Sequence, residues 1–382
     1  MARMFGTDGV RGVVGVDLTA RMAFELGRAG ASVLTEGTHH PRILVGRDTR
    51  ISGEMLQCSL MAGICAVGGQ ALDVGVMTTP GIAYLTRLMG ADAGVVISAS
   101  HNPMEFNGIK FFNREGFKLP DAVEDEIEAV VRGDQPGLPA ATGADIGVPC
   151  VVAQAEQQYL NHLVSRVDQD LSSLRVVMDC ANGASSHLAP QLLRSLGVDV
   201  VAMHDQPDGT NINLDCGSTH MDSLRQAVVA QQAHLGLAFD GDADRMLAVD
   251  ELGHVVDGDQ IMLICARALK AAGKLADDTL VVTVMSNLGL TLAAKELGVK
   301  LETTAVGDRY VLERMLEKGY VLGGEQSGHI IMLEDNTTGD GMASALRLMS
   351  AMVSSGQPLS QLAGIMTVLP QVLVNITVDN AK

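Results

Sequence analysis

RILVGRDTRISG (42–53), RVVMDCANGASS (175–186) and LVVTVMSNLGL (280–290) each pass from a short Val, Ile and Leu-rich run into a polar, glycine-containing loop and then into a helical pattern. Short apolar runs alternating with helices read as buried parallel strands of βαβ units, because a strand covered on both faces has no polar face to present. Three such units predict an α/β protein of three similar mixed-sheet domains around a central cleft. The 42 glycines and 3% aromatic content agree, since such folds need many tight turns between strand and helix.

Working outward, RGDQPGLPAATGADIG (132–147) is rich in Pro, Gly and Ala without periodicity and reads as a surface linker. DELGHVVDGD (250–259) reads as a strand pair turning at Leu252–Gly253 ahead of a helix from about Asp259. The expected domains are therefore 1–148, 149–250 and 251–367, with 368–382 a linker. Spacing of 3.6 residues predicts helices over 19–36, 54–67, 121–131, 154–166, 186–196, 259–272, 308–318 and 340–354. The polar motifs then fall in loops at strand ends, where open α/β sheets place their ligands.

Composition sets limits on partners. With 382 residues, 47% hydrophobic and 19% charged, the chain suits a soluble protein of more than one domain. A formal charge of −18 repels a polyphosphate backbone, which argues against nucleic acid as a partner. The six cysteines form no CxxC pair and lie in apolar stretches, as buried reduced thiols of a cytoplasmic protein do. MARMFGTDGVRG carries no apolar signal core, and no run approaches the ~20 apolar residues that span a bilayer. No membrane partner is expected, and a homodimer stays open because nothing here selects an oligomeric state.

Four segments carry chemistry. In GVVISASHNPMEFNGIKFF (94–112) a β-branched strand delivers Ser98, Ser100 and His101 to a turn closed by Asn102–Pro103, and Lys110 follows on what reads as the returning strand. The bland alternative is an ordinary Ser/Asn turn. In LGLAFDGDADRMLAVDE (235–251), Asp240, Asp242 and Asp244 alternate with Gly241 and Ala243 after an apolar strand. Extended, this segment would hold Asp240 and Asp244 about 13 Å apart at about 3.3 Å per residue, so sharing one ion requires the loop to curl. Three carboxylates within ~4 Å repel by ~4 kcal/mol per pair at an effective dielectric near 20, which demands a cation. All-oxygen donors select Mg²⁺, Mn²⁺ or Ca²⁺ over zinc.

An EF-hand loop is one competitor, since Asp240, Asp242, Asp244 and Glu251 fall at its positions 1, 3, 5 and 12. Arg245 stands where that loop needs glycine, and the flanks read as strands rather than helices. A phosphatase with Asp240 as an aspartyl nucleophile is the other. Arg245 favours phosphate chemistry of either kind, because a guanidinium binds a phosphoryl group bidentately. VGDRY (306–310) and GGEQSGHI (323–330) present Arg309, Glu325, Ser327 and His329 for reading sugar hydroxyls, although such loops are often plain turns. FGTDGVRG (5–12) adds Arg11 in a glycine-rich turn whose amides suit an anion.

In this order FGTDGVRG, ISASHNP, NGIKFF, AFDGDADR, VGDRY and GEQSGH resemble the α-D-phosphohexomutase family, most closely its bacterial branch acting on glucosamine phosphates, over essentially the whole chain. The resemblance implies that Ser100 carries the phosphoryl group, and that one Mg²⁺ per chain is held by Asp240, Asp242, Asp244 and a phosphate oxygen on Ser100. It further implies that Glu325 and Ser327 read the sugar phosphate, and that Arg11, Lys110 and Arg245 surround the transferred group, with His101 beside the serine. The implied activity interconverts glucosamine 6-phosphate and glucosamine 1-phosphate through a phosphoserine and glucosamine 1,6-bisphosphate, feeding UDP-N-acetylglucosamine and peptidoglycan precursor synthesis. Phosphomannomutase or phosphoglucomutase chemistry is the alternative within the family, and a calcium-binding structural protein the alternative outside it. The family also carries a fourth carboxy-terminal domain with an Arg-x-Ser-Gly-Thr loop. Nothing like it occurs here, and VLVNITVDNAK (372–382) reads as the third domain's last strand and a linker to that absent domain.

Overall fold

The computed structural model describes residues 3–6, 8–35 and 40–372; all but the first residue of the VLVNITVDNAK segment lie outside them. β1 (Val10–Val13), β2 (Arg42–Arg47), β3 (Gln70–Val76), β4 (Ala93–Ile97), β5 (Phe106–Asn113) and β6 (Pro149–Val151) form one sheet in the order β1-β5-β4-β2-β3-β6. β7 (Arg175–Asp179), β8 (Asp199–Met203), β9 (Leu235–Phe239), β10 (Met246–Asp250) and β11 (Val255–Val256) form a second, β11-β10-β9-β7-β8. β12 (Thr279–Thr283), β13 (Lys300–Thr304), β14 (Leu322–Gly324) and β15 (Ile330–Met332) form the third, β13-β12-β14-β15.

The three quoted runs are equivalent central strands. β2 lies between β4 and β3, β7 between β9 and β8, and β12 between β14 and β13, all parallel. Each sheet then reverses at an equivalent place: β4 turns back into antiparallel β5, β9 into β10 and β14 into β15. These three reversals are the serine loop, the aspartate loop and the Glu325–His329 loop. The expected strand pair at Leu252–Gly253 is the β10–β11 hairpin, with Gly253 at φ +86°.

Some helices had no signal in the spacing. Helix Thr79–Leu88 starts in TTPG, which reads as a turn, yet Thr78 Oγ accepts the Gly81 N–H at 3.1 Å and Pro80 sits in the first turn, where its missing N–H costs nothing. Helices Asp222–Ala230 and Leu359–Ala363 are short and were likewise not expected, and the helix expected from 54 begins at Ile51. The segment 132–147 is on the surface but pinned: Leu138 N–H donates to Ser32 Oγ at 2.9 Å, and the Ala141 and Gly147 amides donate to Ala66 O and Cys65 O at 2.8 and 3.0 Å. It leads into β6, which pairs with β3 of the first sheet.

Helices Ala20–Val33 and Ile51–Ala66 cross with their backbones in contact. A Cβ on Gly63 would lie 2.0 Å from Phe24 O, and one on Gly27 2.1 Å from Leu60 O. Gly63→Ala is therefore expected to destabilise: the forced separation costs about 1–3 kcal/mol, more than the ~1 kcal/mol that alanine gains in helix propensity. Thermal unfolding checks this, and an unchanged or raised midpoint contradicts it.

The three domains are locked together near the site. Tyr84 stacks on His162 at 4.0 Å between ring centres, and Tyr159 O–H donates to Asp340 Oδ2 at 2.7 Å. Asn336 Nδ2 reaches Pro80 O at 3.0 Å and Thr337 Oγ reaches Gly116 O at 2.6 Å. No helix among the described residues is long and apolar enough to cross a membrane.

Candidate active site

β4 is buried along its length, and its register with β5 places Val96 opposite Lys110 and Ile97 opposite Ile109. The chain leaves β4 at Ser98 and turns through Ser100, whose φ of +52° is left-handed and costs a non-glycine residue roughly 1–2 kcal/mol. Its surroundings over-determine that turn. Ser100 N–H donates to Ser98 Oγ at 3.0 Å, and Ser98 O–H donates to Asp48 Oδ2 at 2.6 Å. Arg50, with no side-chain exposure, donates to Asp48 Oδ2 at 2.9 Å and to the carbonyls of Ser100, Asn102, Pro103 and Phe106 at 2.9, 2.8, 2.5 and 3.1 Å. Asn213 Nδ2 reaches Ser100 O at 2.8 Å from the second domain.

The aspartate loop meets this turn face to face. Ala243 is at φ +55° and its N–H closes on Asp240 O at 3.1 Å, so the loop curls as its chemistry requires. One oxygen each from Asp240, Asp242 and Asp244 lies within 4.8 Å of the others. A Cβ on Gly241 would stand 2.5 Å from Ser100 O, so glycine there lets the two loops touch. The contact is Ser100 O–H donating to Asp240 Oδ2 at 2.5 Å.

All three aspartates are buried, and Oδ1 of Asp242 and of Asp244 has no hydrogen-bond partner among the described residues. Burying an unsatisfied carboxylate oxygen is costly, and only a cation directed between them recovers that cost. Burial, followed by the charges of Asp244 and Asp242, pushes Asp240 well above the usual carboxylate range. Two orphaned oxygens and crowded like charge fit a hard divalent ion in an all-oxygen cluster. Glu251, the twelfth EF-hand position, binds Ser360 instead, and the loop joins two strands, so the calcium-loop geometry is absent.

Cations ring the cluster. Lys110 Nζ contacts Asp242 Oδ2 at 2.9 Å, Asp8 Oδ2 at 3.0 Å and Asp244 Oδ2 at 3.9 Å. Burial works against its charge, but Asp242, Asp8 and Asp244 outweigh burial and raise its pKa, so it stands here as a fixed positive charge. Thr79 O–H donates to the same Asp242 oxygen at 2.6 Å. His329 is wedged between Asp308 Oδ2 at 3.3 Å and Asp244 Oδ2 at 3.6 Å. Burial again opposes its charge and the two aspartates prevail, so its pKa is raised. Arg245 lies beside Asp244 at 3.9 Å. His101 is 3.4 Å from Ser100 Oγ; desolvation first, then Arg245 and Arg11, lower its pKa and keep the ring neutral.

The structure thus gathers Ser100, His101, Lys110, Asp240, Asp242, Asp244, Arg245 and His329 in one place. Arg11 faces the same cluster through Asp8, its Nη2 bonded to that carboxylate. Glu325 accepts the Gly307 N–H at 3.0 Å; burial opposes the charge of Arg245, but Asp244 and Asp240, and after them Glu325, raise its pKa, while Ser327 is exposed. Arg309 turns away, to Asp121 at 2.5 Å and Glu313 at 3.1 Å. Its neighbour Asp308 points inward instead, to Lys118 at 2.6 Å.

Sequence reasoning missed Asp8, Asp48, Arg50, Thr79, Lys118, Asn213 and Asp308. GRDTR (46–50) carried a usable signal: an Asp and an Arg in a loop at a buried strand's carboxyl end, where the other motifs also lie. Lys118 and Asn213 had none, because only the tertiary fold brings them to the cluster.

Comparison with known proteins agrees with this arrangement. The phosphoglucomutase/phosphomannomutase α/β/α domains I, II and III match residues 2–136, 157–253 and 257–369. A phosphoglucosamine mutase of Ruminiclostridium cellulolyticum is 56% identical over 383 residues, covering 100% of this chain and 85% of that protein, and one of Clostridium novyi is 57% identical over 380 residues with the same coverage. Among solved structures, a phosphoglucomutase/phosphomannomutase family protein of Burkholderia thailandensis superposes with TM-score 0.81 at 26% identity, over 98% of this chain and 81% of that one. An Aspergillus fumigatus N-acetylphosphoglucosamine mutase, in complex with GlcNAc-6P and magnesium, shares the fold at TM-score 0.63 and 16% identity, over 96% and 80%. With all three domains matched in order and the serine and aspartate loops joined by a direct hydrogen bond, the chain belongs to the phosphoglucomutase/phosphomannomutase family, the α-D-phosphohexomutases.

Proposed function

We propose that this chain catalyses the phosphoglucosamine mutase reaction, interconverting glucosamine 6-phosphate and glucosamine 1-phosphate. The observation that carries the reading is the Ser100 hydroxyl at 2.5 Å from a buried three-aspartate cluster contributed by another domain. Relatives at 55–57% identity across the whole chain carry the name of this activity.

In this reading Ser100 carries the phosphoryl group. The P–Oγ bond breaks as a bond forms to the sugar's 1-oxygen, whose proton passes to the released Oγ, giving the 1,6-bisphosphate. After that intermediate turns round, the bond from the 6-oxygen to phosphorus breaks as Oγ bonds to that phosphorus, the Oγ proton passes to the 6-oxygen, and glucosamine 1-phosphate departs. Phosphorylation adds about −1.5 to −2 charges beside three carboxylates and removes the hydrogen that Ser100 donates to Asp240. Asp240, Asp242 and Asp244 would hold Mg²⁺, which when bound offsets this charge and polarises the phosphoryl group. Lys110 and Arg245 supply fixed positive charge to the transferring oxygens, and Arg11 adds to it from the first domain. Neutral His101 is able to accept a proton beside Oγ. Asp48 and Arg50 hold the turn so that Oγ, not the backbone, faces the incoming group. In this reading Glu325 and Ser327 meet sugar hydroxyls, whereas Arg309 reaches the sugar only by leaving Asp121 and Glu313. The six cysteines are free and suit a cytoplasmic location, although the expected burial holds for Cys180, Cys216 and Cys265 and not for Cys58 and Cys150, which are exposed.

Steady-state turnover of glucosamine 6-phosphate against mannose and glucose phosphates tests the substrate. The expected result is a kcat/KM preference for the amino sugar of about tenfold or more, the discrimination that one differential polar contact provides. An equal or better neutral sugar contradicts it.

A further inference from the structure

Outside the mutase site, one cluster joins three different metal-binding side chains. Asp179 ends β7, His204 directly follows β8, and Cys216 precedes the turn Gly217–Thr219. One donor atom from each lies within 4.8 Å of the other two. Asp179 and Cys216 are buried, while the His204 side chain keeps 30% exposure and so leaves a way in from solvent. The Asp179 carboxylate is divided: Oδ1 accepts the Ala181 N–H at 2.9 Å, and Oδ2 faces His204 Nδ1 at 2.9 Å. Cys216 Sγ lies within 4.8 Å of a donor atom of each of the other two, beside the Asn213 backbone amide.

We propose that Asp179 Oδ2, His204 Nδ1 and Cys216 Sγ form a binding site for one borderline-soft divalent ion, Zn²⁺ in a cell, distinct from the all-oxygen cluster of the mutase site. The donor set decides the class. Thiolate and imidazole select zinc-like ions and are poor ligands for Mg²⁺. Tetrahedral bonds of about 2.0–2.3 Å put donors roughly 3.3–3.7 Å apart. The His204–Asp179 pair needs to part by less than about 1 Å to reach that spacing. Binding forms a metal–sulfur bond and breaks the S–H bond, releasing one proton to solvent; His204 binds through Nδ1 with its ring hydrogen on Nε2. Because binding releases a proton, uptake is expected to strengthen as pH rises. Three protein donors leave a fourth position for water.

The site sits directly behind both catalytic loops. Asn182 N–H donates to His204 O at 2.6 Å, Ala184 N–H to Gly241 O at 2.8 Å, and Asn213 N–H to Ala181 O at 2.9 Å, while the Asn213 side chain holds Ser100 O at 2.8 Å. An ion there fixes the loop on which the aspartate loop rests.

The test is a titration of the full chain with Co²⁺ alone as the probe, at about pH 8 with Mg²⁺ in large excess. The expected result is a near-ultraviolet thiolate-to-cobalt charge-transfer band that saturates at one ion per chain, resists the Mg²⁺, and falls to background in both Cys216→Ser and His204→Asn. Asparagine tolerates the left-handed backbone at position 204, φ +47°, so this second variant retains the fold if the first does not. No band, a band of equal strength in both variants, or a band that Mg²⁺ removes each overturns the proposal. The outcome is independent of the mutase reading, since neither variant touches Ser100 or the aspartates.

Discussion

Ser100→Ala is expected to abolish phosphoryl transfer while leaving a folded protein. Removing the nucleophile of an enzyme that works through a covalent intermediate lowers kcat on the order of a million-fold, to background. The structural cost is far smaller. Alanine and serine pay alike for the left-handed turn, which is held by Asp48, Arg50, Ser98 and Asn213 through backbone atoms that the substitution retains. What is lost is the hydroxyl's bond to Asp240, worth about 1.5–3 kcal/mol as a hydrogen bond to a charged group. Coupled turnover assays and thermal unfolding separate the two effects. Measurable mutase activity in a folded variant contradicts the assignment of Ser100.

Lys110→Met should lose both activity and stability. The lysine is buried on β5 among Asp242, Asp8 and Asp244, and breaking a buried ion pair by removing one partner costs about 3–5 kcal/mol because the remaining charge is left unpaired. The melting temperature should fall accordingly. Below that temperature kcat should still be lower by roughly 10²–10³, the scale of losing one preorganised charge at a reacting centre. KM should change less, because Lys110 contacts the aspartates rather than the exposed rim. Wild-type activity at low temperature would make Lys110 a purely structural ion.

The parts of this molecule that depend on local pattern were legible in its sequence. The three runs at 42–53, 175–186 and 280–290 became the central strands β2, β7 and β12, because full burial on two faces leaves a continuous apolar signature. Asp240, Asp242 and Asp244 could be grouped because like charges so close in sequence require either separation or a cation. What stayed hidden depends on where a side chain points. VGDRY offered Arg309 as a reader of sugar hydroxyls, and its neighbour Asp308 drew no attention. The helix start at Asp308 turns that aspartate toward Lys118 and His329 and sends Arg309 outward to Asp121. Helix Thr79–Leu88 was hidden because Thr-Pro-Gly serves equally as a turn and as a capped first turn, and only its burial between two domains decides. Arg50 was read as part of a strand-to-helix loop; its role appears only when four carbonyls from a loop 50 or more residues away converge on its guanidinium.

The proposed function requires the phosphoryl group to reside on Ser100 while the neighbouring aspartates hold its counter-ion. Intact-mass measurement with peptide mapping, after incubating the protein with a hexose 1,6-bisphosphate and Mg²⁺, tests this most directly. The expected result is one phosphate per chain, located on the peptide containing ISASHNP and absent from Ser100→Ala. Phosphate on the peptide containing Asp240, or a chain that acquires none, contradicts it.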